Sequence, residues 1–116
     1  MMATAYYTRM DRRNPAAFSP FIVNTVLRHD LGFAGPVISD DLANARQVSA
    51  WSYGTRAVKF VNAGGSVVLT VSPRPLPAMY RAVLARAKAD PAFRAKVDSA
   101  ALLVLRVKER RHLLGG

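Results

Sequence analysis

Leu31-Gly32-Phe33-Ala34-Gly35-Pro36-Val37-Ile38-Ser39-Asp40-Asp41 is the stretch whose reading decides the fold. Gly32-Phe33 closes one element, and Gly35-Pro36 launches the next. Val37-Ile38 is an apolar run too short and too tightly bounded for a helix, so it reads as a buried strand. The run stops abruptly in two adjacent carboxylates. Asp40 and Asp41 therefore stand at the carboxyl end of a strand, where α/β enzymes carry their reactive groups. They are candidates for a nucleophile or a general acid/base, although an aspartate at that position is also a common helix N-cap.

Upstream, Met1 to Tyr7 is short, apolar and aromatic, and predicts a first strand. A polar, turn-rich stretch from Thr8 to Ala17 follows. Ser19-Pro20 then starts a helix with a hydroxyl cap and a proline at the first helical position. Ile22, Val23, Val26, Leu27 and Leu31 recur at helical spacing, and Gly32 suits the left-handed position just beyond the end. Downstream, Leu42 to Ala50 predicts a helical turn or two, interrupted around Trp51-Ser52-Tyr53-Gly54. A helix resumes at Thr55, places Ala57, Val58 and Val61 on one face, and stops at Gly64-Gly65. Val67-Val68-Leu69 reads as another buried strand, ending in the loop Ser72-Pro73-Arg74-Pro75. Pro77 to Ala89 is helical, with Met79, Tyr80, Val83 and Leu84 at core spacing. Asp90-Pro91 repeats the cap-plus-proline start for a long last helix, Ala92 to about Arg111. Apolar strands alternating with amphipathic helices imply an α/β unit with right-handed crossovers and a parallel sheet. No repeat or interdomain linker divides the chain, so no second domain is expected.

The chain has 116 residues, of which 51% are hydrophobic. That is enough for one small domain with a modest core. It has no cysteine, which excludes a disulfide scaffold and a Cys-ligated metal site. His29 and His112 lack metal-ligand spacing, and no metal or cofactor is expected. No apolar stretch approaches the ~20 residues that cross a bilayer. The N-terminus lacks a basic segment followed by an apolar one, so the default expectation is a cytoplasmic location. The net charge of +10 raises nucleic acid as a partner. Its distribution argues otherwise, because Arg81, Arg86, Lys88, Arg94 and Lys96 are scattered among apolar positions without interleaved aromatics. Arg106, Lys108, Arg110 and Arg111 do cluster, but in the last turns of a helix, where cations complement the dipole. Gly64-Gly65-Ser66 lies between a helix and a strand, the wrong order for a phosphate-binding loop. Leu113-Leu114-Gly115-Gly116 reads as a frayed helix end rather than a modifier's diglycine tail.

The ordered series Asn14-Pro15-Ala16-Ala17-Phe18-Ser19-Pro20, Leu31-Gly32-Phe33-Ala34-Gly35, Val37-Ile38-Ser39-Asp40-Asp41-Leu42 and Ala63-Gly64-Gly65 resembles glycoside hydrolase family 3. It is most similar to the β-N-acetylhexosaminidase and β-glucosidase-like members, within their catalytic (β/α)8 barrel. The resemblance covers essentially the whole chain. It implies that residues 1–116 form the C-terminal part of such a barrel: a partial TIM barrel of three parallel βα units, strands six to eight, with a long C-terminal helix. It also implies a retaining O-glycosyl hydrolase acting on β-linked N-acetylglucosaminides or glucosides. Asp40, directly after the serine at the end of strand seven, corresponds to the family's nucleophile. Asp41 takes a supporting role, capping or orienting. Tyr6, Tyr7 and Trp51 suit the rim of a sugar site by stacking, and equally suit buried packing.

Several family features have no counterpart here. The acid/base residue, the Lys-His pair and the arginine that hold the sugar lie on earlier loops of the family barrel. Ala43 stands where members usually have glycine, and Ser66 where an aspartate is common. Met1 falls inside what resembles strand six, which favours a truncated or split reading frame. A barrel takes roughly 250 residues, and three strands cannot close one. The first and third strands are then expected to show unpaired edges. Such a chain is expected to be an unstable fragment, an open three-stranded unit, or part of an assembly completed by itself or by a chain supplying the missing strands. The alternative functions are a catalytically inactive remnant acting as an interaction module and, less favoured, a small basic nucleic-acid-binding domain.

Overall fold

The computed structural model describes residues 1–115, and Gly116 of the expected frayed terminus lies outside them. Strands β1 (Ile38–Asp41) and β2 (Val67–Leu69) pair in parallel as a two-stranded sheet. Around it lie a π-helix (Phe21–Asp30) and three α-helices, α1 (Tyr53–Ala63), α2 (Leu76–Ala89) and α3 (Pro91–Arg110). Single 3₁₀ turns occupy Ala16–Phe18 and Arg46–Val48. The α/β class with parallel strands agrees with the sequence pattern.

Four elements differ from expectation. Met1 to Tyr7 supplies no third strand, only a one-residue parallel bridge from Met2 to Ser39. Met2 N–H donates to the Ile38 carbonyl (2.7 Å) and Asp40 N–H to the Met2 carbonyl (3.0 Å). On the other side of this segment, Ala17 and Ala16 N–H donate to the carbonyls of Ala3 (3.0 Å) and Ala5 (2.8 Å). The edge expected to be bare is therefore partly occupied by the 3₁₀ turn. Strand β1 starts one residue after Val37 and includes both aspartates. The helix after Ser19-Pro20 is wound wide, and Leu31 N–H reaches five residues back to Val26 at 2.9 Å. Finally, the helical turns expected over Leu42 to Ala50 shrink to Arg46–Val48, whereas α1 begins at Tyr53 under a Ser52 cap.

The core lies between the sheet and the helices and is built from Phe18, Val23, Val37, Leu42, Val48, Ala57, Phe60 and Met79. Helix α1 packs most extensively on α2. Gly54 makes the approach possible, since a Cβ there would stand 2.6 Å from that of Ala82. Gly64 ends α1 at φ 112°, and a Cβ there would strike the Asn24 side chain. Helix α3 buries only Phe93. The radius of gyration is 14.1 Å, close to the ~13 Å of a compact chain of this length. Among the described residues no helix is long and apolar enough to cross a membrane.

Arg28 ties the π-helix to the starts of both strands. Its guanidinium donates to the carbonyls of Gly35 and Gly64 (both 2.9 Å) and to Ser66 Oγ (3.3 Å). Ser66 Oγ also accepts from Val37 N–H at 3.1 Å. Desolvation lowers the Arg28 pKa, and no carboxylate pairs with it among the described residues. Upstream of Arg28, Asp11 organises the turn before the π-helix. Its oxygens accept from the N–H groups of Arg13 (2.9 Å) and Asn14 (3.1 Å) and from the Asn14 amide (3.1 Å). The Ser19 hydroxyl, the Asn14 side chain and these backbone donors hold its carboxyl down at about 2.

Two outcomes are expected. Ser66→Asp gives Arg28 a carboxylate while keeping an acceptor for Val37 N–H. The gain is about 1 kcal/mol, discounted for the half-exposed site, and it appears as a melting temperature higher by roughly 4 °C. An unchanged or lower melting temperature would contradict it. For Asp11 the folded-state value lies below the ordinary 3.8. Its stabilising contribution is therefore present above that value and lost as the pH falls toward 2. Thermal melts should show Asp11→Asn less stable than the parent at about pH 5, with the difference closing by about pH 2.

Candidate active site

One surplus residue in β1 shapes the end of the sheet. Ile38 pairs with Val67 and Asp41 with Leu69, so three steps on β1 match two on β2. The surplus is a bulge, a device that re-aims side chains and recurs beside active sites. Ser39, fully buried, repairs the interrupted ladder by accepting the Leu69 N–H on its hydroxyl at 2.9 Å. Asp40 is then the residue whose backbone is held, by its N–H to Met2, while its side chain is exposed.

The two aspartates differ sharply in their surroundings. Asp41 Oδ1 accepts from Ala43 N–H (3.0 Å) and, at the limit of hydrogen bonding, from Val71 N–H (3.4 Å). Its Oδ2 accepts from the Asn44 amide at 2.8 Å. Desolvation pulls the Asp41 carboxyl upward, but the Asn44 side chain and the N–H groups of Ala43, Val71 and Asn44 outweigh it and leave the pKa below the ordinary value. Asp40 has one donor, the Asp41 N–H to Oδ1 at 2.8 Å. Its Oδ2 has none among the described residues. One carboxylate is consumed in building the turn, and the other is left with a free oxygen.

That oxygen belongs to a residue of an open pocket of about 460 Å³, a volume typical of small-molecule sites. Asp40, Asp41, Asn44 and Gln47 line it from β1 and its loop, facing Thr4 on the N-terminal segment. Ala3, Ala5 and Ala45 keep it wide. Thr4 Oγ1 donates to Gln47 Oε1 at 3.4 Å and ties the two walls together. The sequence reading did not single out Thr4, Asn44 or Gln47. Only Asn44, three residues after an aspartate, carried a local signal, that of a side-chain-closed turn.

The aromatics stand elsewhere. Trp51 packs edge-on against Phe18 (centroids 5.4 Å apart) under the Lys59 ammonium, and Tyr6 is 41% exposed. Neither lines the pocket that holds the aspartates. Ala43 departs from the glycine usual at that position, but its backbone φ is not positive, so an alanine fits without strain. His29 is exposed and pairs with Asp30. Among the described residues no group of three or more His, Cys, Asp or Glu is placed to hold a metal ion. A larger cavity of about 540 Å³ lies at the opposite, N-terminal side of the strands, and its cations Arg28 and Lys96 are engaged by carbonyl and side-chain oxygens.

Comparison with known proteins gives a consistent picture. The chain is 32% identical to a β-hexosaminidase of Methylococcus capsulatus, in an alignment covering 89% of this chain and 33% of that protein. Among solved structures it superposes on the β-N-acetylhexosaminidase of Beutenbergia cavernae with a TM-score of 0.85 and 48% identity, over 91% of this chain and 32% of that one. For the β-N-acetylglucosaminidase of Thermotoga maritima the TM-score is 0.80 and the identity 32%, over 90% and 24% of the two chains. The chain thus spans about a third of the length of the curated relative, 33%. The model of the glycosyl hydrolase family 3 N-terminal domain matches residues 1–107, and the chain belongs to that family.

Proposed function

We propose that this chain is the C-terminal third of a family 3 glycosidase barrel, contributing strands six to eight and the catalytic nucleophile. The supporting observation is Asp40: exposed at the end of a bulged strand, with one carboxylate oxygen free and a pocket in front of it. The names of the relatives point to β-linked N-acetylhexosaminides as substrates. In a retaining glycosidase an ionised carboxylate attacks the anomeric carbon while a general acid about 5–5.5 Å away protonates the departing oxygen. Water then attacks the same carbon, gives up its proton to that second residue, and frees the carboxylate. Asp40 is the attacking group. Asp41, its oxygens occupied by the turn, holds the following loop in place.

The general acid comes from polypeptide carrying the other strands of the barrel, either continuous with this chain or supplied in trans. In that barrel β1 takes the seventh strand position, β2 the eighth, and the Met1–Tyr7 segment, bridged to β1 at Met2, the sixth. Tyr6 and Trp51 stand outside the pocket that holds the aspartates, so neither contacts the reacting sugar in this scheme. Trp51 supports the loop rather than touching the reacting sugar, because its ring packs on Phe18.

Complementation tests this reading. The remaining two-thirds of the Beutenbergia cavernae enzyme, co-expressed with this chain, should restore hydrolysis of a chromogenic N-acetyl-β-glucosaminide. Asp40→Asn should abolish it by about 10³-fold or more, and Asp41→Asn should reduce it by roughly 10-fold to 100-fold. Hydrolysis that survives Asp40→Asn would sink the assignment of the nucleophile. No hydrolysis from any complemented pair would sink the glycosidase reading itself.

A further inference from the structure

Arg56 on α1 is a buried cation facing no acid. The residue is 7% exposed, and no carboxylate pairs with it among the described residues. A buried, unneutralised charge costs stability unless its donors are well placed. Here they are placed on one target, the loop between β1 and α1. Arg56 Nη1 donates to the carbonyls of Leu42 (2.9 Å) and Ala43 (2.7 Å). Its Nε donates to the Trp51 carbonyl at 2.8 Å. The guanidinium also lies 4.7 Å from the centroid of the Tyr53 ring, which fixes its plane.

These acceptors are the two ends of a single loop. Leu42 and Ala43 directly follow the aspartates, and Trp51 precedes the cap of α1. Between them hang Asn44 and Gln47, both lining the pocket. Ala43 is held from both sides: its carbonyl by Arg56 and its N–H by Asp41 Oδ1, at 3.0 Å. A planar guanidinium with fixed donors can hold both ends at once, which a lysine ammonium cannot.

We propose that Arg56 is a positioning residue of the candidate active site, clamping both ends of the Leu42–Trp51 loop so that Asp40, Asp41, Asn44 and Gln47 keep their places around the pocket. The catalytic consequence rests on the glycosidase reading, but the clamping of the loop does not. Arg56 touches no reacting atom in this scheme. It acts through the backbone that follows the nucleophile.

The test uses the full chain with Arg56→Gln and Arg56→Lys, and Phe93→Ala as a control that damages the packing of α3, outside the core cluster that holds Leu42 and Val48. The first readout is the titration of the Asp41 carboxyl followed by carbon NMR. In the parent, Asn44 and the loop N–H groups hold that group low. With the clamp removed it should move up toward the ordinary carboxylate range in Arg56→Gln, and part of the way in Arg56→Lys. Phe93→Ala should lower the melting temperature and leave the titration where it is. The second readout is the complemented enzyme, in which kcat should fall roughly 10-fold to 100-fold in Arg56→Gln with KM within about threefold of the parent. An Asp41 titration unmoved in both Arg56 variants overturns the proposal, as does a moved titration with unchanged kcat. If Arg56→Gln fails to fold, Arg56→Lys alone decides. Should the complemented parent hydrolyse nothing, the glycosidase reading falls and the Asp41 titration alone decides the role of Arg56.

Discussion

The rest of the molecule depends on the parallel pairing of Ile38–Asp41 with Val67–Leu69, and above all on its mismatch of one residue. A regular ladder would have alternated side chains strictly to one face and the other. Val37 and Ser39 face inward and Asp40 outward as alternation requires, and the bulge shifts the pattern beyond Asp40, so that Leu42 rather than Asp41 is the next buried residue. Ser39 makes the break affordable, because its buried hydroxyl takes the Leu69 N–H that the ladder no longer satisfies. An apolar residue there would leave a buried donor without a partner, at a cost of ~1–3 kcal/mol.

Around this pairing the chain uses arginines where a more acidic protein would use ion pairs. It carries 17 basic and 7 acidic residues, so most cations must find other partners. Arg28 and Arg56 find them in backbone carbonyls. Arg28 gathers Gly35, Gly64 and Ser66 at the entry to the two strands. Arg56 gathers Leu42, Ala43 and Trp51 at the exit from β1. The two guanidiniums therefore hold opposite ends of the sheet, while carboxylates serve the turn at Asp11, the cap at Asp90 and the pocket.

Much of this was legible along the chain. The helix start at Ser19, the stop at Gly64 and the cap at Asp90 each depend on a few adjacent residues, and each is found where local chemistry put it. Met1 to Tyr7 has the apolar and aromatic content of a strand, yet the carbonyls of Ala3 and Ala5 accept from the N–H groups of Ala17 and Ala16. That competition is invisible in a window of seven residues. The helix before Gly32 shows the right apolar spacing but winds wider than 3.6 residues per turn, and a periodic pattern does not separate those two windings. Thr4 and Gln47 meet across 43 positions, a pairing no local pattern encodes.

Sequence alone determined the class of fold, the parallel sense of the strands and the place of two carboxylates at a strand end, because each follows from short-range periodicity and capping. It also carried the family, through motifs kept in order. It offered no physical ground for separating Asp40 from Asp41. Only the tertiary structure did that: Asp41 spends its oxygens on Ala43, Asn44 and Val71, whereas Asp40 keeps one free. The difference arises from a bulge and from donors on other segments, and those exist only once the chain has folded.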